Sequence, residues 1–99
     1  MKVVYKITYP NGKIYVGQDR TDTLTYFGSV SDHAVKLDFS REQQRDFTIR
    51  KQILWESETA SDAEVTQMEL HYILVLRAND PAVGYNRRPS WVAPEQHPD

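Results

Sequence analysis

Three residues carry the types and positions from which chemistry could be built: Tyr5, Tyr15 and Glu69. Glu69 falls inside an apolar stripe, because Val65, Met68, Tyr72, Val75 and Leu76 share one side of a helix at about 100° per residue. A carboxylate in such a stripe is costly unless it is paired, protonated or bound to a cation. Two readings follow. Either Glu69 sits at the edge of the stripe and pairs with a Lys or Arg, or it is a metal ligand or general base. The two tyrosines also have two readings, as sheet-packing residues with wet hydroxyls or as phenols that take part in proton transfer. Gly17 adds to the second, since glycine inside a strand often marks the close approach of another backbone or a ligand.

These residues need elements to hold them. KVVYKITY at 2–9 and KIYVGQ at 13–18 are rich in strand formers and flank Pro10-Asn11-Gly12, so the spacing predicts a hairpin. Pro10 suits the first central position of a type I turn, with Gly12 left-handed in a G1 bulge. That register pairs Ile7 with Tyr15 and Tyr5 with Gly17, which puts Val3, Tyr5, Ile7, Tyr9 and Tyr15 on one face and Val4, Ile14 and Val16 on the other. A two-residue type I′ turn at Asn11-Gly12 would instead place Tyr5 and Tyr15 on opposite faces.

Beyond the hairpin, 21–28 reads as a polar, turn-like stretch, and Ser29 with Asp32 marks a helix start, with a short helix near 31–38. SREQQRD at 40–46 either extends that helix or forms a turn of its own. FTIRKQILW at 47–55 reads as the third strand, with Phe47, Ile49, Ile53 and Trp55 in one alternating set. Ser61 and Glu64 form a capping box, and no Gly or Pro follows until Pro81, so a long helix is expected from there to Asp80. Leu70 and Leu74 lie opposite its stripe, which calls for cover by the C-terminal segment through Trp91, or for a homodimer.

The chain has 99 residues, enough for one domain, here 1–91, followed by a loose tail over 92–99. It holds no cysteine, which excludes disulfide scaffolds, thiolate zinc sites and cysteine nucleophiles. No apolar run approaches a membrane span and none resembles a signal peptide, so a soluble, cytoplasmic protein with no membrane partner is expected. The formal net charge of −2 argues against gripping nucleic acid by charge alone, although Lys2, Lys6, Lys13 and Arg20 make the first hairpin basic.

The ordered set VVYKIT, NGKIYVGQ, YFGS, FTIRKQIL, MELHYI and GYN resembles the GIY-YIG nuclease family over residues 3–86. Val3-Val4-Tyr5 keeps the tyrosine of the first signature without its glycine and isoleucine, and Tyr15-Val16-Gly17 is a variant of the second. The resemblance implies an α+β fold, a three-stranded antiparallel sheet flanked by helices. It also implies a DNA endonuclease that hydrolyses phosphodiester bonds with a single Mg²⁺ or Mn²⁺.

On that resemblance Tyr5 or Tyr15 would help deprotonate the attacking water, Glu69 would hold the metal, and Asn86 would support the site beside Gly17. A phenol near pH 8 needs its pKa lowered to act as a base, by a metal-bound water or a nearby cation. The arginine that the family usually places about ten residues after the second tyrosine is replaced by Thr25. Arg20 is the first candidate to stand in for it, followed by Lys36 and then Arg41 or Arg45, while His33 is a candidate proton shuttle or phosphate contact. The alternative function is a degenerate GIY-YIG module that binds nucleic acid or protein without cutting.

Overall fold

The computed structural model describes residues 1–28 and 32–92. The helix start expected at Ser29 and the tail beyond Val92 lie outside the described residues. Strands β1 (Lys2–Thr8) and β2 (Ile14–Asp19) form the hairpin. Its loop is the bulged one: the Tyr9 N–H donates to the Lys13 carbonyl at 2.9 Å, the Gly12 N–H to the Tyr9 carbonyl at 2.9 Å, and Gly12 has φ 85°. Asn11 Oδ1 braces the turn by accepting the Lys13 N–H at 3.0 Å. Tyr5 therefore pairs with Gly17 and Ile7 with Tyr15, which puts both tyrosines on one face.

Strand β3 (Arg50–Ser57) begins later than expected and pairs antiparallel with the other side of β1, giving the order β2-β1-β3. A bulge changes its alternation. Val4 pairs with Trp55 but Tyr5 pairs with Ile53, so Leu54 is left between them. Ile53 and Trp55, expected on one face, are thereby split: Ile53 stays on the Tyr5 side and Trp55 packs with Val4.

Helices cover both faces of the central strand. On one, Val3, Tyr5, Ile7 and Tyr9 pack against Val35 and Phe39, from helix α1 (Asp32–Lys36) and the turn after it. Helix α2 (Arg41–Arg45) is a separate helix that buries no residue and is capped by Ser40, whose Oγ accepts the Gln43 N–H at 3.2 Å. On the other face Val4 and Val16 meet Val65, Ile73 and Ala78 of helix α3 (Asp62–Leu76) and its exit. Each fully buried valine or isoleucine here contributes about 1.5–3 kcal/mol. The result is an α+β domain with a three-stranded antiparallel sheet and three helices among the described residues.

Helix α3 starts at the expected capping box, with the Glu64 N–H on Ser61 Oγ and the Ser61 N–H on Glu64 Oε1, both at 3.1 Å. It ends at Leu76 rather than Asp80, because Arg77 turns left-handed at φ 58° and its N–H reaches back to the Ile73 and Leu74 carbonyls. Arginine is an unusual residue for that cap, which leaves no sign of the stop in the sequence. Ile73 takes the core position expected for Val75, which is exposed together with Leu70 and Leu74. Trp91 does not cover the two leucines; its ring lies 5.0 Å from the Arg77 guanidinium.

After α3 the chain returns to the free edge of β2. The Ile14 N–H donates to the Val83 carbonyl at 3.1 Å and the Tyr85 N–H to the Ile14 carbonyl at 2.8 Å. A Cβ on Gly84 would lie 2.6 Å from the Ile14 carbonyl oxygen, so only glycine admits this approach. No helix among the described residues is long and apolar enough to cross a membrane.

Candidate functional site

Because Tyr5 sits on the central strand and points across β2, its phenol reaches the sheet edge only if the facing residue has no side chain. Gly17 meets that need. A Cβ there would lie 2.6 Å from Tyr5 Cζ and 3.0 Å from Tyr15 Cε2, and one on Gly28 would lie 2.5 Å from Tyr15 Cε2 and 2.7 Å from the Tyr5 oxygen. Two glycines from different parts of the chain thus cradle the two phenols. Tyr26 adds its ring edge-on to Tyr5 at 6.1 Å. Tyr5 is fully buried while Tyr15 keeps part of its surface exposed.

Burial pushes the Tyr5 phenol well above its usual pKa, and the nearby Tyr15, Tyr26, Asp19 and Glu69 push in the same direction. Glu69 comes from the opposite layer of the domain. It is half-buried on α3, and its described hydrogen bond is a long one from Gln18 Nε2 at 3.4 Å. Among the described residues it makes no ion pair. No Lys or Arg among the described residues makes Glu69 a plain structural acid. Burial raises its pKa, with the Gln18 hydrogen bonds opposing that rise.

Asn86 closes the edge of β2 beside this cluster. Its Oδ1 accepts the Val16 N–H and its Nδ2 donates to the Val16 carbonyl, both at 2.8 Å. One side-chain amide thereby satisfies both outward groups of the residue between Tyr15 and Gly17.

The cations are arranged differently from the expectation. Arg20 is bound at 3.4 Å to Asp62 in the first turn of α3, where Lys2 also binds at 3.1 Å. Asp62 and Glu69 lie two turns apart on one helix side, so Arg20 is held roughly 10 Å along the helix from the acid. Lys36 and Arg41 line a separate cavity of about 250 Å³ with Val35 and Phe39. His33 and Arg45 are exposed on α1 and α2, and Thr25 lines an apolar pocket with Leu24, Phe27 and Ile53. Tyr5, Tyr15 and Gly17 meet, Asn86 grips the strand between the last two, and Glu69 stands beside Gln18 in the opposite layer; Thr25 lies in the loop that follows, and His33, Lys36, Arg41 and Arg45 lie elsewhere.

The cation that does reach the tyrosines is Lys51, which was not singled out in the sequence. Its Nζ lies 4.9 Å from the Tyr5 ring centre and donates to the carbonyls of Thr23 at 3.0 Å and Tyr26 at 2.9 Å, with Leu24 at 3.4 Å. It fastens the 23–26 loop over Tyr5. Asp19 fixes the start of the same loop, accepting from the Thr21 N–H at 2.9 Å and the Thr23 N–H at 2.7 Å. Burial pushes the Asp19 carboxyl up, but these hydrogen bonds and the Lys51 charge outweigh it and leave it below the usual range. The bulge at Leu54 and a lone Lys in FTIRKQIL offered no earlier signal for Lys51.

Gln18 Oε1 is a buried acceptor with no partner, next to a carboxylate without a cation. Gln18 turns its Nε2 donor toward Glu69, so the carboxylate is the hard oxygen donor offered there, and a hard divalent ion held by one carboxylate keeps most of its waters. No group of three or more His, Asp or Glu side chains converges among the described residues, so any ion there would be held by few protein ligands. A shallow depression of about 330 Å³, lined by Gln18, Asp19, Arg20, Thr21 and Tyr26, opens at the same end of β2. No family model, curated protein or solved structure matches the chain.

Proposed function

We propose that this protein is a divalent-metal-dependent DNA endonuclease of the GIY-YIG kind. The observation that carries the reading is the meeting of Tyr5 and Tyr15 over Gly17 and Gly28, together with a half-buried Glu69 on α3 that makes no ion pair among the described residues. Sheet packing alone explains the rings but not a half-buried acid with no counter-charge among the described residues.

Glu69 would hold Mg²⁺ or Mn²⁺. Such an ion, when bound, supplies polarisation of the phosphorus and stabilises charge on the leaving oxygen. Hydrolysis joins the water oxygen to phosphorus and breaks the bond to a sugar oxygen, which leaves with a proton. We assign the contact with the attacking water to Tyr15, the more exposed phenol, and its orientation to Tyr5, whose buried hydroxyl keeps its proton. Asn86 holds the strand that carries Tyr15, and Lys51 holds the loop above it.

A second reading, a module that binds without cutting, is favoured by the arrangement of cations, since Arg20 is engaged by Asp62 and Thr25 faces apolar side chains. Nicking of supercoiled plasmid separates the two. Cleavage with Mg²⁺ or Mn²⁺ that EDTA, Glu69→Ala and Tyr15→Phe each remove supports the nuclease. A folded wild type that cuts neither plasmid nor branched DNA sinks it. If Tyr5→Phe is the inactive variant and Tyr15→Phe cuts normally, the roles assigned to the two phenols are reversed.

A further inference from the structure

Away from the two tyrosines, the C-terminal segment and α1 enclose a groove of about 500 Å³, whose walls include Lys13, Asn79, Tyr85, Asn86, Arg87 and Trp91. Both aromatic rings in it are backed by cations: the Arg77 guanidinium lies 5.0 Å from the Trp91 ring and Lys13 Nζ 5.3 Å from the Tyr85 ring. The charges are unevenly compensated. Lys13 is paired with Asp38 at 3.1 Å and Arg77 with Asp80 at 3.2 Å, whereas Arg87 and Arg88 make no ion pair among the described residues. An anion is therefore drawn to the Arg87 end of the groove.

Asn79 supplies a third feature. It is 6 % exposed, its Nδ2 donates to the Pro89 carbonyl at 2.8 Å, and its Oδ1 is buried with no partner. That oxygen has almost no accessible surface and backs the wall rather than facing a ligand. A half-buried tryptophan and an arginine with no ion pair among the described residues together match the stacking face and the phosphate of one nucleotide. Bases in a duplex are stacked on each other and offer no free face, so the match is to an unpaired base.

We propose that this groove binds a nucleotide of single-stranded DNA, with its base on Trp91 and its phosphate at Arg87. The proposal rests on the nucleic-acid reading given above and names its substrate class: DNA with an unpaired segment. Asn86 lines the groove and also grips Val16, the residue between Tyr15 and Gly17 on β2.

Binding is measured on the full chain in EDTA, so that no cutting intervenes, by anisotropy of a fluorescein-labelled single-stranded 12-mer and of the same sequence as a blunt duplex. The single strand is expected to bind at least tenfold tighter. Trp91→Ala should weaken it on the order of tenfold while Trp91→Phe keeps the affinity, and Arg87→Ala should lower the salt dependence by about one phosphate contact. The protein has two tryptophans, so Trp55→Phe isolates the emission of Trp91, which the single strand should quench. Equal or tighter duplex binding, or full affinity in a folded Trp91→Ala variant, overturns the groove assignment. Single-strand binding without plasmid nicking would keep the groove and remove the nuclease, and nicking without single-strand preference would do the reverse.

Discussion

Asn86 holds Val16 by both of its backbone polar groups, at 2.8 Å each, across 70 residues of sequence. Val16 is fully buried, so neither group has water to fall back on. Asn86→Ala is expected to destabilise the fold by about 1–3 kcal/mol, the cost of leaving buried partners unmet. Urea unfolding checks this, and an unchanged midpoint would show that another group takes over the edge.

Glu69 gives a prediction with an opposite sign for stability and activity. A carboxyl whose pKa is raised by folding leaves the native state unpenalised below the unfolded pKa. Its destabilisation grows as pH rises and is complete above the raised value. Glu69→Gln should therefore raise the melting temperature in EDTA at neutral pH, with the gain vanishing near pH 4, while nicking is lost. Added Mg²⁺ should stabilise the wild type and not the variant. A variant less stable than wild type in EDTA would mean that Glu69 has a structural partner after all.

Gly17→Ala tests the close approach of the two phenols. In an ordinary strand position alanine would help by restricting the unfolded chain. Here the new methyl meets the Tyr5 ring, and a cost of about 1–3 kcal/mol is expected. Chemical denaturation reads the sign directly, and a neutral or stabilising result would remove glycine from the account of the site.

Lys51→Met keeps the length of the stem and removes the ammonium that fastens the 23–26 loop. Nicking should fall on the order of 10²-fold, as expected when a supporting group shifts a site by about an ångström. Hydrogen exchange should rise at Thr23–Tyr26 but not in α3. Lys51→Arg should recover part of the activity, and full activity in the Met variant would limit Lys51 to a surface role.

Much of this arrangement can be read from local signals. Pro10 and Gly12 set the hairpin register and with it the shared face of Tyr5 and Tyr15, and Ser61 with Glu64 marks the start of α3. What could not be read depends on contacts distant in sequence. The bulge at Leu54 puts Ile53 and Trp55 on different sides of the sheet, and nothing in a run of strand formers announces it. Arg77 ends α3 in a conformation for which glycine is the usual sign. The placement of Lys51 over Tyr5, and of Arg20 on Asp62, follows from strand order and helix position, which residue spacing does not encode.

The strand edge completed by Val83–Asn86 also bears on how the protein is made. On the ribosome β2 emerges before β3 and α3 and waits for both to be made before its outer partner exists. Until then it presents a row of open N–H and C=O groups to any other nascent strand. Closure is a late, long-range event, which slows folding relative to a local hairpin. Truncation before Gly84 is therefore expected to produce self-association before it produces simple loss of helix content, and the site around Tyr15 matures only when the last stretch has docked.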